Sequence, residues 1–316
     1  MIYYVSLDNP NPSGGVRTQY RHVEILNDHG YPASMLHQKP GFTAATWFTS
    51  RAPVRSAPEV EIGPGDVLVW PEILRTSIHH LGGIKQIIFN QNIHYTFRGS
   101  YAPGLPVIST NPRYDYAHGA VATMVLTEYE RDQLRLFVPG HRVAVVEHGI
   151  DPGVFGYDGR SKKKQIAFMP RKHQDEAENV FGWLATTGAL KGWDVVAIDQ
   201  ATEAQTAEIL KDSAIFFAFG YPEGGTLPPF EAMACGAITL GYGGFASDRL
   251  MEECGGICVS SGNTMAFAQK ARYWLENYPY LPGEIEKKLS EKTLNRFPME
   301  REAQRLTEFM KEIMSA

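Results

Sequence analysis

The sequence predicts an α/β protein of two domains, each built on a parallel sheet with helices on both faces. Three observations carry this reading. The chain has 316 residues, more than one domain usually holds and enough for two units that each bury a core. Short apolar runs alternate with longer mixed segments, which is the pattern of strand, helix and parallel strand. The alternation also restarts after a polar, glycine-containing stretch from Asp151 to Lys164.

In the first half, Ile2 to Leu7, Val67 to Trp70, Gln86 to Asn90, Thr123 to Thr127 and Arg142 to Glu147 read as strands. Helices are expected from Gly15 to His29 and from Glu128 to Phe137, with Gly30 and Gly140 as stops. Leu36 to Pro64, rich in Thr, Ala and Pro, reads as a loop. Its Trp47 and Phe48 suit either stacking on a sugar or lipid tail, or burial against the first helix. Asp151 to Lys164 is the expected linker. Its Lys162, Lys163 and Lys164 form a solvated lead into a strand, with a membrane or phosphate contact as the alternative. Strands follow at Gln165 to Pro170, Trp193 to Ile198, Ala214 to Phe219, Ala237 to Tyr242 and Ile257 to Ser260. A charged, periodic segment from Met299 to about Met314 closes the chain as an amphipathic helix.

An apolar fraction of 43% beside 21% charged residues describes a soluble globular protein, and a net charge of −5 offers no basic face to nucleic acid. No basic leader precedes an apolar stretch and no run of about 18 apolar residues occurs, so a cytoplasmic location is expected. Cys235, Cys254 and Cys258 are too few and too odd for a disulfide framework. Cys254 and Cys258 are wrongly spaced for a zinc pair, adjacent His79 and His80 cannot share a helical face, and no Asp-x-Asp suits a metal diphosphate. Neither metal nor cofactor is expected.

The chemistry concentrates in Tyr221-Pro-Glu-Gly-Gly-Thr-Leu-Pro-Pro-Phe-Glu-Ala-Met-Ala-Cys-Gly236, where Glu223 and Glu231 stand eight apart. The apolar run before it is a buried strand, and Gly224 and Gly225 allow a sharp turn at its carboxyl end. Pro228 and Pro229 fit a helix's first turn, and Gly236 fits the left-handed position after its end. Glu223 then lies in the loop and Glu231 early in the helix. Backbone N–H groups of Gly225, Thr226 and Leu227 point toward an anion such as a diphosphate. Gly14 and Gly15 open a helix after the first strand, His94 follows the strand ending at Asn90, and Arg171 and Lys172 follow the first strand of the second half. All lie at strand ends, where open α/β sheets place ligands.

The segment from Glu223 to Gly236 resembles the Glu-x7-Glu motif of the retaining glycosyltransferases of family 4, whose GT-B fold sets two Rossmann-like domains facing across a cleft. That resemblance, carried by motifs between about residues 14 and 250, implies a nucleotide-sugar donor with a UDP or GDP base and a metal-independent transfer to an acceptor hydroxyl. The acceptor is a glycan, a lipid-linked molecule or a small molecule. Residues 1–152 become the acceptor-side domain, residues 153–298 the nucleotide-sugar domain, and helix 299–316 packs back on the first. Glu223 approaches the donor sugar and Glu231 holds the ribose. Gly224, Gly225, Thr226 and Leu227 line the phosphates from one side, and Gly14 and Gly15 from the other. His94 lies near the reacting centre. Val145 to Phe155 resembles the family's connector, with His148 where an asparagine is usual.

One departure stands out. The family has a second cation five or six residues after the position of Arg171, but Glu176, Ala177 and Glu178 occupy that region, leaving Lys172 as the local substitute. The sequence therefore leaves open a non-catalytic sugar-nucleotide-binding subunit or a GT-B epimerase. Because His94 and the first glycine pair fall in one half and the remaining residues in the other, catalysis is expected to need domain closure.

Overall fold

The computed structural model describes residues 1–77, 83–96, 119–278 and 284–315. His79, His80 and Phe97 lie outside the described residues. The chain divides into two compact units, Met1–His148 with Glu300–Ala316, and Gly149–Met299.

The first unit runs β1 (Ile2–Val5), α1 (Gly14–Asp28), β2 (Ala33–His37), β3 (Val54–Ser56), β4 (Val67–Pro71), β5 (Lys85–Asn90), α2 (Ile93–Thr96), β6 (Ala122–Val125), α3 (Glu128–Phe137) and β7 (Val143–Val145). Its strands form one parallel sheet in the order β3-β2-β1-β4-β5-β6-β7. Alternate residues serve opposite faces, as the pleat requires. Ile2, Tyr4, Val67, Val69, Ile87 and Phe89 meet Tyr20, Val23 and Leu26 of α1 in one core, while Tyr3, Leu36 and Leu68 form another.

The second unit continues with α4 (Pro152–Phe155), β8 (Lys163–Phe168), α5 (Gln174–Thr186), β9 (Asp194–Ala197), α6 (Glu203–Asp212), β10 (Ser213–Ala218), α7 (Pro228–Ala234), β11 (Ile238–Gly241), α8 (Asp248–Cys254), β12 (Ile257–Cys258), α9 (Thr264–Asn277) and α10 (Ile285–Arg296). Its parallel sheet has the order β12-β11-β10-β8-β9. Numbered from β8, that is the 2-1-3-4-5 order of doubly wound sheets.

The last helix, α11 (Met299–Ser315), belongs to the first unit from Glu300 onward. Leu306, Phe309, Met310 and Ile313 recur at helical spacing and enter the core shared with α1. Glu302, one turn earlier, is wholly buried. Its carboxylate lies 3.3 Å from Arg21 Nη1 and 3.4 Å from His22 Nε2, and Tyr4 Oη is 3.2 Å from His22 Nδ1. Burial alone raises the acid's pKa, but the charges of Arg21, His22 and His148, with the His22 hydrogen bond, bring it down to about 2. His148, the connector histidine, lies 3.4 Å from the Thr18 hydroxyl, and burial pushes its pKa down to about 3.

Several expectations are corrected. β2 and β3 lie within or beside the stretch expected as a loop: Ala-Ser-Met-Leu-His has no β-branched residue to mark a strand, and β3 is a three-residue edge. Phe48 is buried edge-on to Tyr20 at 5.3 Å, so burial against the first helix is the outcome there. β6 stops at Val125 because the amides of Leu126 and Thr127 turn onto the Glu130 carboxyl. The stretch from Asp151 to Lys164 is no free linker. It lies in the second unit, with Asp151 capping α4 through the Gly153 N–H at 2.8 Å and Phe155 in the core. Lys162 is not solvated, because its ammonium donates to the carbonyls of Leu210, Lys211 and Cys235, and burial pushes its pKa down to about 8. Among the described residues no helix is long and apolar enough to cross a membrane.

Candidate functional site

In the second unit the chain leaves β8 toward one side of the sheet and later fills the other, so the crevice at the carboxyl ends of β8 and β10 is the topological switch point. Arg171 and Lys172 follow β8, and Glu223 follows β10. Lys172 Nζ is paired with Glu223 Oε1, both side chains being about a quarter exposed (28% and 23%), while Arg171 is exposed on the same turn.

The Glu223 backbone is held from below. Its N–H donates to the Gly244 carbonyl at 3.0 Å, and the residue bridges Phe245 in parallel register. Gly244 has φ +79°, and a Cβ there would come within 2.6 Å of the Glu223 Cβ, so only glycine fits. The Ser247 hydroxyl donates to the Gly224 carbonyl at 3.2 Å. Tyr221 joins Pro222 through a cis peptide.

Beside this loop stands a cluster that sequence reasoning missed. His173 stacks on Tyr221 with ring centroids 3.9 Å apart and planes 1° from parallel, and its Nε2 bonds the Tyr221 carbonyl. The hydroxyls of Tyr221 and Tyr242 both donate to Glu176, the second at 2.8 Å, and His173 Nδ1 lies 3.4 Å from the same carboxylate. The bond to Glu176, with burial and the carboxylate charge, raises the Tyr221 phenol to about 12. The region where a second cation was sought is thus a carboxylate buttress for the Glu223 loop. The available signal was a tyrosine at the end of each of two neighbouring strands, β10 and β11, facing one acid four residues after Lys172.

α7 starts with Pro228 and Pro229 in its first turn, with Leu227 as an N-cap that makes no side-chain bond. Thr226 and Leu227 are buried, and Glu231 is only 4% exposed. Gly236 follows the helix at φ +84°, where an added Cβ would meet Glu286 and Tyr157. The structure therefore brings Arg171, Lys172, Glu223, Gly224, Gly225, Thr226, Leu227 and Glu231 to one end of one sheet.

Gly14, Gly15 and His94 belong to the first unit. Its strand order reverses between β1 and β4, and Gly14 and Gly15 begin α1 after β1. A Cβ on Gly15 would lie 3.0 Å from Gln91 Oε1, so the small residue lets the β5 turn approach the helix start. His94 sits in α2 just past β5, its ring stacked on Tyr129 at 6.5 Å. Among the described residues no group of three or more His, Cys, Asp or Glu side chains could hold a metal ion.

No family model matches the chain. It is 23% identical over 287 residues to an alpha-1,6-glucosyltransferase of Actinobacillus pleuropneumoniae serotype 7 (strain AP76), a match that covers 88% of this chain and 84% of that protein. Among solved structures it is similar to sucrose-phosphate synthase from Thermosynechococcus elongatus, with TM-score 0.74, 14% identity and 99% of both chains covered. Anabaena HepE in complex with UDP gives TM-score 0.70 at 11% identity, covering 98% of this chain and 99% of that one. A glycosyltransferase from Rickettsia africae ESF-5 gives 0.67 at 15%, covering 99% and 98%. Likeness over whole chains at such low identity speaks to architecture, and the architecture of this chain is the GT-B fold of two Rossmann-like domains.

Proposed function

We propose that the protein is a retaining, metal-independent glycosyltransferase of the family 4 type, moving a hexose from a nucleotide-diphosphate sugar to an acceptor hydroxyl during glycan or glycoconjugate synthesis. The observation that carries the reading is the Lys172–Glu223 pair at the switch point, beside the loop that leads into α7. On this reading the ammonium meets the entering diphosphate and the carboxylate meets the sugar that follows it. The relative named as a glucosyltransferase and the neighbours solved with UDP, one of them also with glucose, favour a UDP-hexose as donor.

In this reading the bond from the anomeric carbon to the diphosphate oxygen lengthens first. Positive charge spreads over the ring oxygen and anomeric carbon, and negative charge grows on the departing diphosphate. Arg171, Lys172 and the amides of Gly225, Thr226 and Leu227 oppose the negative charge, while Glu223 faces the positive one. His94 contacts the donor sugar, and Gly14 and Gly15 let backbone come close to the phosphates. The acceptor oxygen enters on the face the diphosphate leaves, and its proton passes to a diphosphate oxygen, so configuration is kept. The two cations take over the charge neutralisation that a divalent ion supplies in other transferases.

A second reading, a non-catalytic sugar-nucleotide-binding subunit, is favoured by Glu176, which holds two tyrosines where another cation was expected. Incubation with UDP- and GDP-sugars in EDTA, with and without acceptors, separates the two. Nucleotide release with an α-linked product supports the transferase, whereas binding without release supports the subunit. Glu231→Ala is expected to weaken nucleotide binding by about 1.5–3 kcal/mol, because a carboxylate to ribose hydrogen bond is lost. Calorimetry showing unchanged affinity for UDP, GDP and ADP would remove Glu231 from the ribose site.

A further inference from the structure

The turn that carries His94 is gripped by side chains along its backbone. Gln91 N–H donates to Glu72 Oε2 at 3.1 Å, Ile93 N–H to Glu130 Oε1 at 3.2 Å, and His94 N–H to Asn92 Oδ1 at 3.1 Å. The Asn90 carboxamide adds a bond to the Thr96 hydroxyl at 2.6 Å. Both acids are buried, Glu72 at 5% and Glu130 at 0% exposure, a placement acids rarely adopt unless bonded.

Glu130 does more than a helix cap requires. Thr127 and Glu130 form a capping box at the start of α3. The Glu130 Oε2 atom accepts from Leu126 N at 3.0 Å and from the Thr127 amide and hydroxyl, each at 3.2 Å. Its other oxygen is thereby left for Ile93, 37 residues away in sequence. One carboxyl thus ties the start of α3, the end of β6 and the turn after β5 together.

We infer that Glu130 is a positioning residue for His94, fixing through the Ile93 amide the turn from which the imidazole projects. The inference rests on the transferase reading of His94. An imidazole that must meet a sugar hydroxyl needs its backbone fixed to a fraction of an ångström, and a helix of four residues is too short to supply that rigidity itself. Burial, with the charge of Glu72 adding to it, pushes the Glu130 carboxyl up to about 8, although the bonds from Leu126, Ile93 and Thr127 pull the other way. Against that burial, every hydrogen-bond partner of the carboxyl among the described residues is a donor, the amides of Ile93, Leu126 and Thr127 and the Thr127 hydroxyl, so glutamine keeps the shape but turns one accepting oxygen into a donor.

Glu130→Gln is therefore a selective probe. Its carbonyl keeps the Leu126 and Thr127 bonds at the Oε2 position, since reversing the amide would oppose two backbone N–H groups instead of one. Its NH2 then faces the Ile93 N–H, donor against donor, and the tether is lost. With the full chain and the sugar nucleotide it turns over fastest, Glu130→Gln is expected to lower kcat about 10-fold or more. The donor KM should stay within about twofold, and hydrogen exchange at the Ile93 amide should accelerate. In a His94→Ala background the same substitution should cost nothing further, because the two act as a unit. Equal losses in both backgrounds, or wild-type kcat in Glu130→Gln beside an impaired His94→Ala, overturn the positioning role alone. Wild-type kcat in His94→Ala overturns the reading of His94, and this inference with it. Should Glu130→Gln fail to fold, Glu72→Met, which removes the acceptor of the Gln91 amide at similar volume, is read in the same two backgrounds with the same outcomes.

Discussion

Lys172→Ala is expected to lower turnover about 100-fold while donor affinity falls far less, because the charge its ammonium opposes is largest after the bond to the diphosphate begins to break. Arg171→Ala should act in the same direction and to a similar extent. The Lys172 ammonium is engaged with Glu223, so a donor diphosphate competes with that carboxylate for it. Removing the lysine leaves Glu223 half-buried without its counter-charge. Glu223→Gln separates the two consequences. If Lys172 acts on the diphosphate, Lys172→Ala is still slow when Glu223 is already glutamine; if it serves only to neutralise Glu223, the double substitution turns over as fast as Glu223→Gln alone. Single-turnover measurements with saturating donor read both. A Lys172→Ala protein indistinguishable from wild type sinks the idea that this lysine replaces the missing cation.

Glu302→Ala should lower the unfolding free energy by about 3–5 kcal/mol, because it leaves Arg21 and His22 facing a buried cavity without their anion. The pH dependence follows from the sign of the shift. The folded carboxyl titrates near 2, below its ordinary value of 4.5, so its stabilisation is fully present above about 4.5 and is lost as pH falls toward 2. Denaturant unfolding between pH 6 and pH 3 should therefore be steeper in pH for the wild type than for Glu302→Gln. Parallel curves would show that folding leaves the Glu302 pKa unchanged, and a wild type that loses stability as pH rises would show that the carboxyl is protonated in the folded unit.

What the sequence by itself determined lies within short reach along the chain. The alternation of apolar runs marked ten strands, though their ends moved by a residue or two. The helix Glu128–Phe137 falls where its pattern puts it, with a threonine cap before it and apolar residues at helical spacing inside. The same holds for Pro228 and Pro229 at the start of α7 and Gly236 after its end, since each effect involves only residues within one turn. Tertiary structure decided the rest. β2, with no β-branched residue, is a strand because β1 and β3 flank it on either side. Lys162 reads as one of three solvated lysines until the ends of α6 and α7 bring three carbonyls to it. Lys172 meets Glu223 across 51 residues, and Glu176 meets Tyr242 across 66, because parallel strands β8, β10 and β11 end side by side. Local propensity acts over the three or four residues of a turn. Which charges become partners depends on the order of strands in the sheet, and that order is set by how two apolar faces are buried, a property of the whole unit.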